Sequence, residues 1–230
     1  MSEFLDQFAR RDDDRAAEVA GRIEAGEAAG AVGAATGLGP AGVVAAIARA
    51  ALGPDDSDGP MLVQVAPGRP RLAEAFGDEA TLETLFPRAG RPARLALAAG
   101  LLQVLDAWDA SHAAAQEADD LGESATAAAW HMVAHRREPD PSNARYWARR
   151  VRAAAFAPLP ALATPLLVPP GADPALAVRL LDGVRLVWSP TTMIDLCTRA
   201  RPGSAEASLA RRLQRLEMLT LLDASTALGG

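Results

Sequence analysis

Apolar residues recur at intervals of three and four along most of the chain, the spacing that lines one face of an α-helix. Phe4, Phe8, Ala16, Val19 and Ile23 set that rhythm between Glu3 and Glu27, with Gly26 and Gly30 closing the run. It resumes after Pro70 with Leu72, Phe76, Leu82, Leu85 and Phe86, then breaks at Pro87 and Gly90. Pro92 stands where a helix often begins, and Leu97, Leu101, Leu105, Trp108, His112 and Gln116 follow on one continuous face. A loop at Asp119, Asp120 and Gly122 leads to a second helix, with Ser124 as its expected cap, that reaches about Arg137 before Pro139 and Pro141 end it. Asp140 or Ser142 caps a further helix. "DPALAVRLLDGVRLVW", opened by Asp173 and Pro174, "SPTTMIDLCTRA" and "SAEASLARRLQRLEMLTLLDAS" read as the helices of the last third. Two passages stay open: "MLVQVAP" is too short to divide between strand and linker, and the Pro-rich passage from Ala157 to Pro174 reads as a surface crossing or a lid.

The expected fold is therefore all-α, an irregular helical bundle in a single domain over residues 1–230, with at most a short two-stranded element. Residues 1–60, rich in Ala and Gly, are a candidate semi-independent N-terminal segment. Composition agrees, since 50% of the residues are hydrophobic but only 4% aromatic, and strands favour aromatic and β-branched side chains. A net charge of -6 gives no electrostatic reason to approach nucleic acid or an anionic membrane. Every basic residue is Arg. The lone Cys197 lies in an apolar run and reads as a buried small residue, and without a partner it gives no sign of an oxidising compartment, which points to the cytoplasm. The stretch "AGAVGAATGLGPAGVVAAIARAAL" is the nearest to a membrane span, but five glycines, Pro40 and Arg49 interrupt it. It follows "RRDDDR" rather than the basic lead of a signal peptide, and it lacks the Gly-Lys-Ser/Thr ending of a phosphate loop.

The chemistry concentrates in "AWHMVAHRREPDPSNARYW", residues 129–147, which holds two of the 3 histidines, two of the 4 tryptophans and the 1 tyrosine. The preceding helical face begins apolar and turns polar at His112 and Gln116. Helices joined by so short a loop lie antiparallel, and reflection about Leu121 brings His112 within about one turn of His131. His131 and His135 are four apart, on one helical face and separated by roughly 6 Å of rise. Imidazoles so placed bind an ion at about 2.0 to 2.1 Å. The pattern suits a divalent transition metal, with zinc, iron, manganese and nickel all compatible. Asp109 and Gln116 flank His112 at i−3 and i+4 as ligands or as acceptors that fix its tautomer.

Met132 stands where the helical zinc-protease motif places its Glu, which leaves Glu117 and Glu138 as candidate bases or auxiliary ligands. "HRRE" also reads more simply as a charged helix end with arginines at the negative pole of the dipole. Arg149 or Arg150, with Tyr146 on the same helix, can grip an anionic group of a small-molecule substrate, while Trp147 reads as a core anchor. Two other readings of the histidines stay open, a metal-free polar site and a buried hydrogen-bond network that only fixes packing.

At these residues the chain resembles a group of uncharacterised bacterial and fungal proteins. In that group Trp-His, three residues, His-Arg-Arg-Glu, an Asp, Ser-Asn-Ala, Tyr-Trp and Arg-Arg-Val recur in order after an Asp-x-x-Asp-x-Ser-His segment. The matching positions are Asp106, Asp109, Ser111, His112 and Gln116, then Trp130, His131, His135 to Glu138, Asp140, Ser142 to Ala144, Tyr146, Trp147 and Arg149 to Val151. Pro141 departs from the pattern, where an aromatic residue is expected. The resemblance implies kinship and a shared polar centre rather than a reaction. The function expected is that of a metal-binding protein, acting as a metal-assisted hydrolase or oxidoreductase. Its alternative is a non-catalytic helical interaction module.

Overall fold

Among the described residues, fourteen α-helices and one 3-10 turn make up the regular structure, and no strand occurs. The computed structural model describes residues 2–54, 57–123, 125–168, 174–181 and 187–228. In chain order the helices are α1 (Glu3–Ala9), α2 (Asp13–Glu24), α3 (Ala29–Thr36), α4 (Pro40–Leu52), α5 (Pro70–Gly77), α6 (Glu79–Leu85) and α7 (Arg91–Val104). There follow α8 (Trp108–Asp120), α9 (Ala127–Arg137), α10 (Pro141–Ala148), α11 (Leu159–Leu167), α12 (Pro174–Leu180), α13 (Pro190–Arg199) and α14 (Ala205–Ala227). The segment at 61–65 forms no ladder; Gln64 only donates its amide to the Arg137 carbonyl at 2.8 Å. The expected caps Ser124 and Asp173 lie outside the described residues.

Two runs expected to be continuous are broken, each by a residue with positive φ. The first helical run splits into α1 and α2 where Arg11 has φ 54, after which Asp12 caps α2 by accepting from the Arg15 amide at 3.0 Å. The face from Leu97 to Gln116 splits into α7 and α8 at Asp106, with φ 62. Ala107 donates back to the Leu102 carbonyl at 2.9 Å and Asp106 to Gln103 at 3.3 Å, the closure of a helix C-terminus that usually uses Gly. Asp tolerates this backbone better than most residues, and its carboxylate is also engaged, in an ion pair with the buried Arg137 guanidinium. Apolar periodicity runs straight through the break because both helices bury a face, so spacing alone does not reveal it.

The turn from α8 to α9 uses the expected glycine. Gly122, at φ 88, lets Glu123 donate to the Ala118 carbonyl at 2.9 Å. The Glu123 carboxylate then accepts from the amides of Ala125, Thr126 and Ala127 at 2.6, 2.9 and 2.5 Å, covering the free donors at the start of α9. The chain thus folds back twice in succession, α7 onto α8 and α8 onto α9. All 11 residues of α9 are buried, against α7, α8, α10 and α13.

One contiguous hydrophobic core runs from Phe4 to Leu222, and α1 and α4 share it with α7 and the 23-residue α14. Part of the passage expected to cross the surface is helical: α11 buries Leu159, Ala163 and Leu167, and it packs on α14. Its prolines mask a stripe at four-residue spacing, while residues 169–173 lie outside the described set. No single described helix is long and apolar enough to cross a membrane; α3 and α4 pass that test only as a pair bent by 99°.

Gly100 sets the distance between α7 and α9. A Cβ there would lie 2.5 Å from the Trp130 ring and 2.9 Å from Leu222, and Trp130 is fixed by donating its indole N–H to Ser225 at 3.1 Å. Gly100→Ala is expected to cost about 1 to 3 kcal/mol through overpacking, read as a lower denaturant midpoint at unchanged slope.

Candidate metal centre

The double fold brings all three histidines to one point. His112 on α8 meets His131 on α9 with an Nε2 to Nε2 distance of 2.8 Å, and its Nε2 lies 3.2 Å from that of His135. Two imidazole nitrogens bound tetrahedrally at the usual zinc distance are about 3.3 Å apart. The three ring nitrogens lie within 4.8 Å of one another and can hold a metal ion.

Packing fixes each ring. Trp108 donates its indole N–H to the Ala134 carbonyl at 2.8 Å and stacks on His112, with centroids 5.0 Å apart and planes 18° apart. Trp147 stacks on His131 at 3.8 Å and 17°. Glu138 accepts from His135 Nδ1 at 2.8 Å, so the His135 proton sits on Nδ1 and the Nε2 lone pair faces the centre. The Asn143 side-chain amide lies 3.0 Å from that Nε2, placed by α10, whose N-cap Asp140 accepts from the Asn143 amide at 3.0 Å. His135, Glu138 and Asp140 form a second, overlapping group with donor spacing suited to a metal, but Glu138 is already occupied by His135 and Asp140 by the cap.

Neutral imidazoles alone satisfy this arrangement poorly. With the His135 Nε2 unprotonated, a His112 Nε2 proton serves only one of its two neighbours well; His131 Nδ1, buried without a partner among the described residues, stays so with or without an ion on Nε2. A metal ion accepts all three Nε2 lone pairs at once. Burial, and then the neighbouring His112, His135 and Arg150, push the His131 imidazole down to about 3. Burial and the adjacent His135 lower that of His112 as well. Both rings are therefore neutral near pH 7, the form that ligates metal.

The linkage gives a prediction for metal-free protein. The unfolded chain takes up a proton at His131 near pH 6.5, whereas the folded chain does so only near 3. Stability should fall as pH drops through that window, and His131→Gln should flatten the fall. Thermal melts in chelator across the window check it; an unchanged slope would contradict the assignment to His131.

The other candidates are placed as follows. Glu138 reaches the centre through His135. Asp109 is exposed, one turn before His112, and Gln116 donates its amide to Asp120 at 2.9 Å; neither meets the three nitrogens. Glu117 is exposed and paired with Arg91 at 2.7 Å. Arg150 pairs with Asp119 at 2.8 Å and lies over the Trp147 ring at 5.0 Å, behind the indole that stacks on His131. Arg149 lies 5.8 Å from the ring of Tyr146, and both residues are exposed. Sequence reasoning missed Asn143, Trp108 and Trp147 as parts of the centre. It also read Arg136 and Arg137 only as a charged helix end at the negative pole of the dipole, whereas both are buried and paired with Glu217 and Asp106.

Compared with protein-family models, curated proteins and solved structures, the chain matches none.

Proposed function

We propose that this protein binds one divalent transition metal through the Nε2 atoms of His112, His131 and His135 and uses it on a small-molecule substrate. The observation that carries the reading is the convergence of three Nε2 atoms at 2.8 and 3.2 Å, with one ring oriented by Glu138. Three neutral nitrogen donors without a ligating carboxylate suit zinc first, and nickel or iron before manganese. Such a set leaves a coordination position for water, whose acidity the ion raises, and that favours metal-assisted hydrolysis over redox chemistry. Glu138 acts here as the residue that orients His135. The half-buried His112 is the most accessible of the three rings, so solvent and substrate approach from the α8 side.

The rival reading is a non-catalytic helical module in which the histidines only fix packing. It is favoured by the depth of His131 and His135, 1% and 6% exposed. Cobalt(II) substitution tests the two. Metal bound by three imidazoles gives the intense visible ligand-field bands of a four- or five-coordinate ion, lost in His131→Ala. A spectrum no different from hexaaqua cobalt would leave the packing module as the better reading.

A further inference from the structure

Arg136 follows His135 on α9, about 100° further round the helix, and faces a different part of the molecule. There it lines a cavity of about 470 Å3, within the range of roughly 300 to 1,000 Å3 usual for small-molecule sites. The walls are largely apolar, with Leu62, Val63, Pro139, Pro141 and Ala207, and carry Thr198, Ser208 and Arg211 among their polar residues. The Arg136 side chain is 1% exposed; its Nη2 pairs with Glu217 on α14, yet its Nε and Nη1 have no acceptor among the described residues. Two guanidinium nitrogens left without partners beside a largely apolar cavity are costly unless an acceptor joins them. Among the described lining residues, no other group competes as an anion for that place. Cys197 also lines it, but burial pushes its thiol up to about 11 and keeps it neutral, and Asp58 is held by Ser208 at 2.5 Å and by Arg211 at 3.6 Å. Ser204, the N-cap of α14, is a further lining residue, so the positive end of a 23-residue helix adjoins the same space.

We propose that this cavity is a binding site for a small apolar carboxylate, its chain against Leu62, Val63 and the two prolines and its carboxylate on the free N–H groups of Arg136. The site is separate from the histidines and does not depend on a metal being bound there. Calorimetry of the full chain with decanoate and with decanol tests it. Decanoate should bind saturably, one per chain, and at least about tenfold more tightly than decanol, the difference a charge-assisted hydrogen bond supplies.

Arg136→Met alone would strand the Glu217 carboxylate, so the informative variant is Arg136→Met with Glu217→Gln, which keeps an acceptor for the Trp188 indole N–H, now 3.0 Å from Glu217. It should lose the preference for decanoate over decanol. Ala200→Phe, which narrows the cavity from its lining without touching Arg136, should weaken both ligands in a protein of unchanged helicity. No binding of decanoate, equal binding of decanol, or a decanoate preference that survives the double variant would each overturn the proposal.

Discussion

Replacing His112, His131 or His135 with Ala should lower zinc affinity by more than about a hundredfold while the protein stays helical. Removing a residue that merely orients a ligand already costs about 10- to 100-fold, and each of these substitutions removes a donor. His112→Ala is the cleanest of the three. Its ring is half-buried and leaves a space beside Trp108 that water can enter, whereas His131→Ala also deprives Trp147 of the ring stacked at 3.8 Å. Competition with a chromophoric chelator measures the affinity and circular dichroism the fold. A purely structural network gives the reverse pattern, a stability loss on the order of 1 to 3 kcal/mol with no metal affinity to lose.

Glu217→Ala should be the most destabilising single change. The Arg136–Glu217 pair is 1% and 0% exposed, the same carboxylate accepts the Trp188 indole N–H at 3.0 Å, and its removal takes the counter-charge from a buried guanidinium and the acceptor from a buried indole. Stranding one member of a buried pair costs about 3 to 5 kcal/mol, a large part of the roughly 5 to 15 kcal/mol that holds a domain together. Arg136→Met should recover much of the loss in the Glu217→Ala background, because removing both charges removes the desolvation cost as well. Urea midpoints of the two single variants and the double variant measure the coupling. Additive losses would mean that the pair is solvated and contributes little.

The pattern of apolar positions was enough to read the helical class, the α8–α9 reversal at Gly122 and the meeting of the histidines, because each depends on local spacing and one turn residue. The break at Asp106 was not readable. Its left-handed backbone is closed by Asp where Gly is usual, and its ion-pair partner Arg137 lies 31 positions away. The same holds for Arg136 and Glu217: two charged residues in separate helices look like solvated faces until the fold buries both. Trp147 was readable as an anchor but not as the ring that holds His131, since that contact joins α10 to α9 through a turn whose angle no periodicity encodes. Asn143 lies within residues 129–147, yet an amide carries no spacing signature of its own.

The most direct test of the metal centre is the stoichiometry of zinc on untagged protein. The chain would be stripped with chelator, equilibrated with a small excess of zinc near pH 7.5, dialysed against metal-free buffer and assayed by mass spectrometry for metal and protein together. We expect one ion retained per chain, released when pH is lowered far enough for protons to compete for the imidazoles, and not retained by His131→Ala. Wild-type protein that keeps no zinc, or that keeps as much after His131→Ala, would contradict the account.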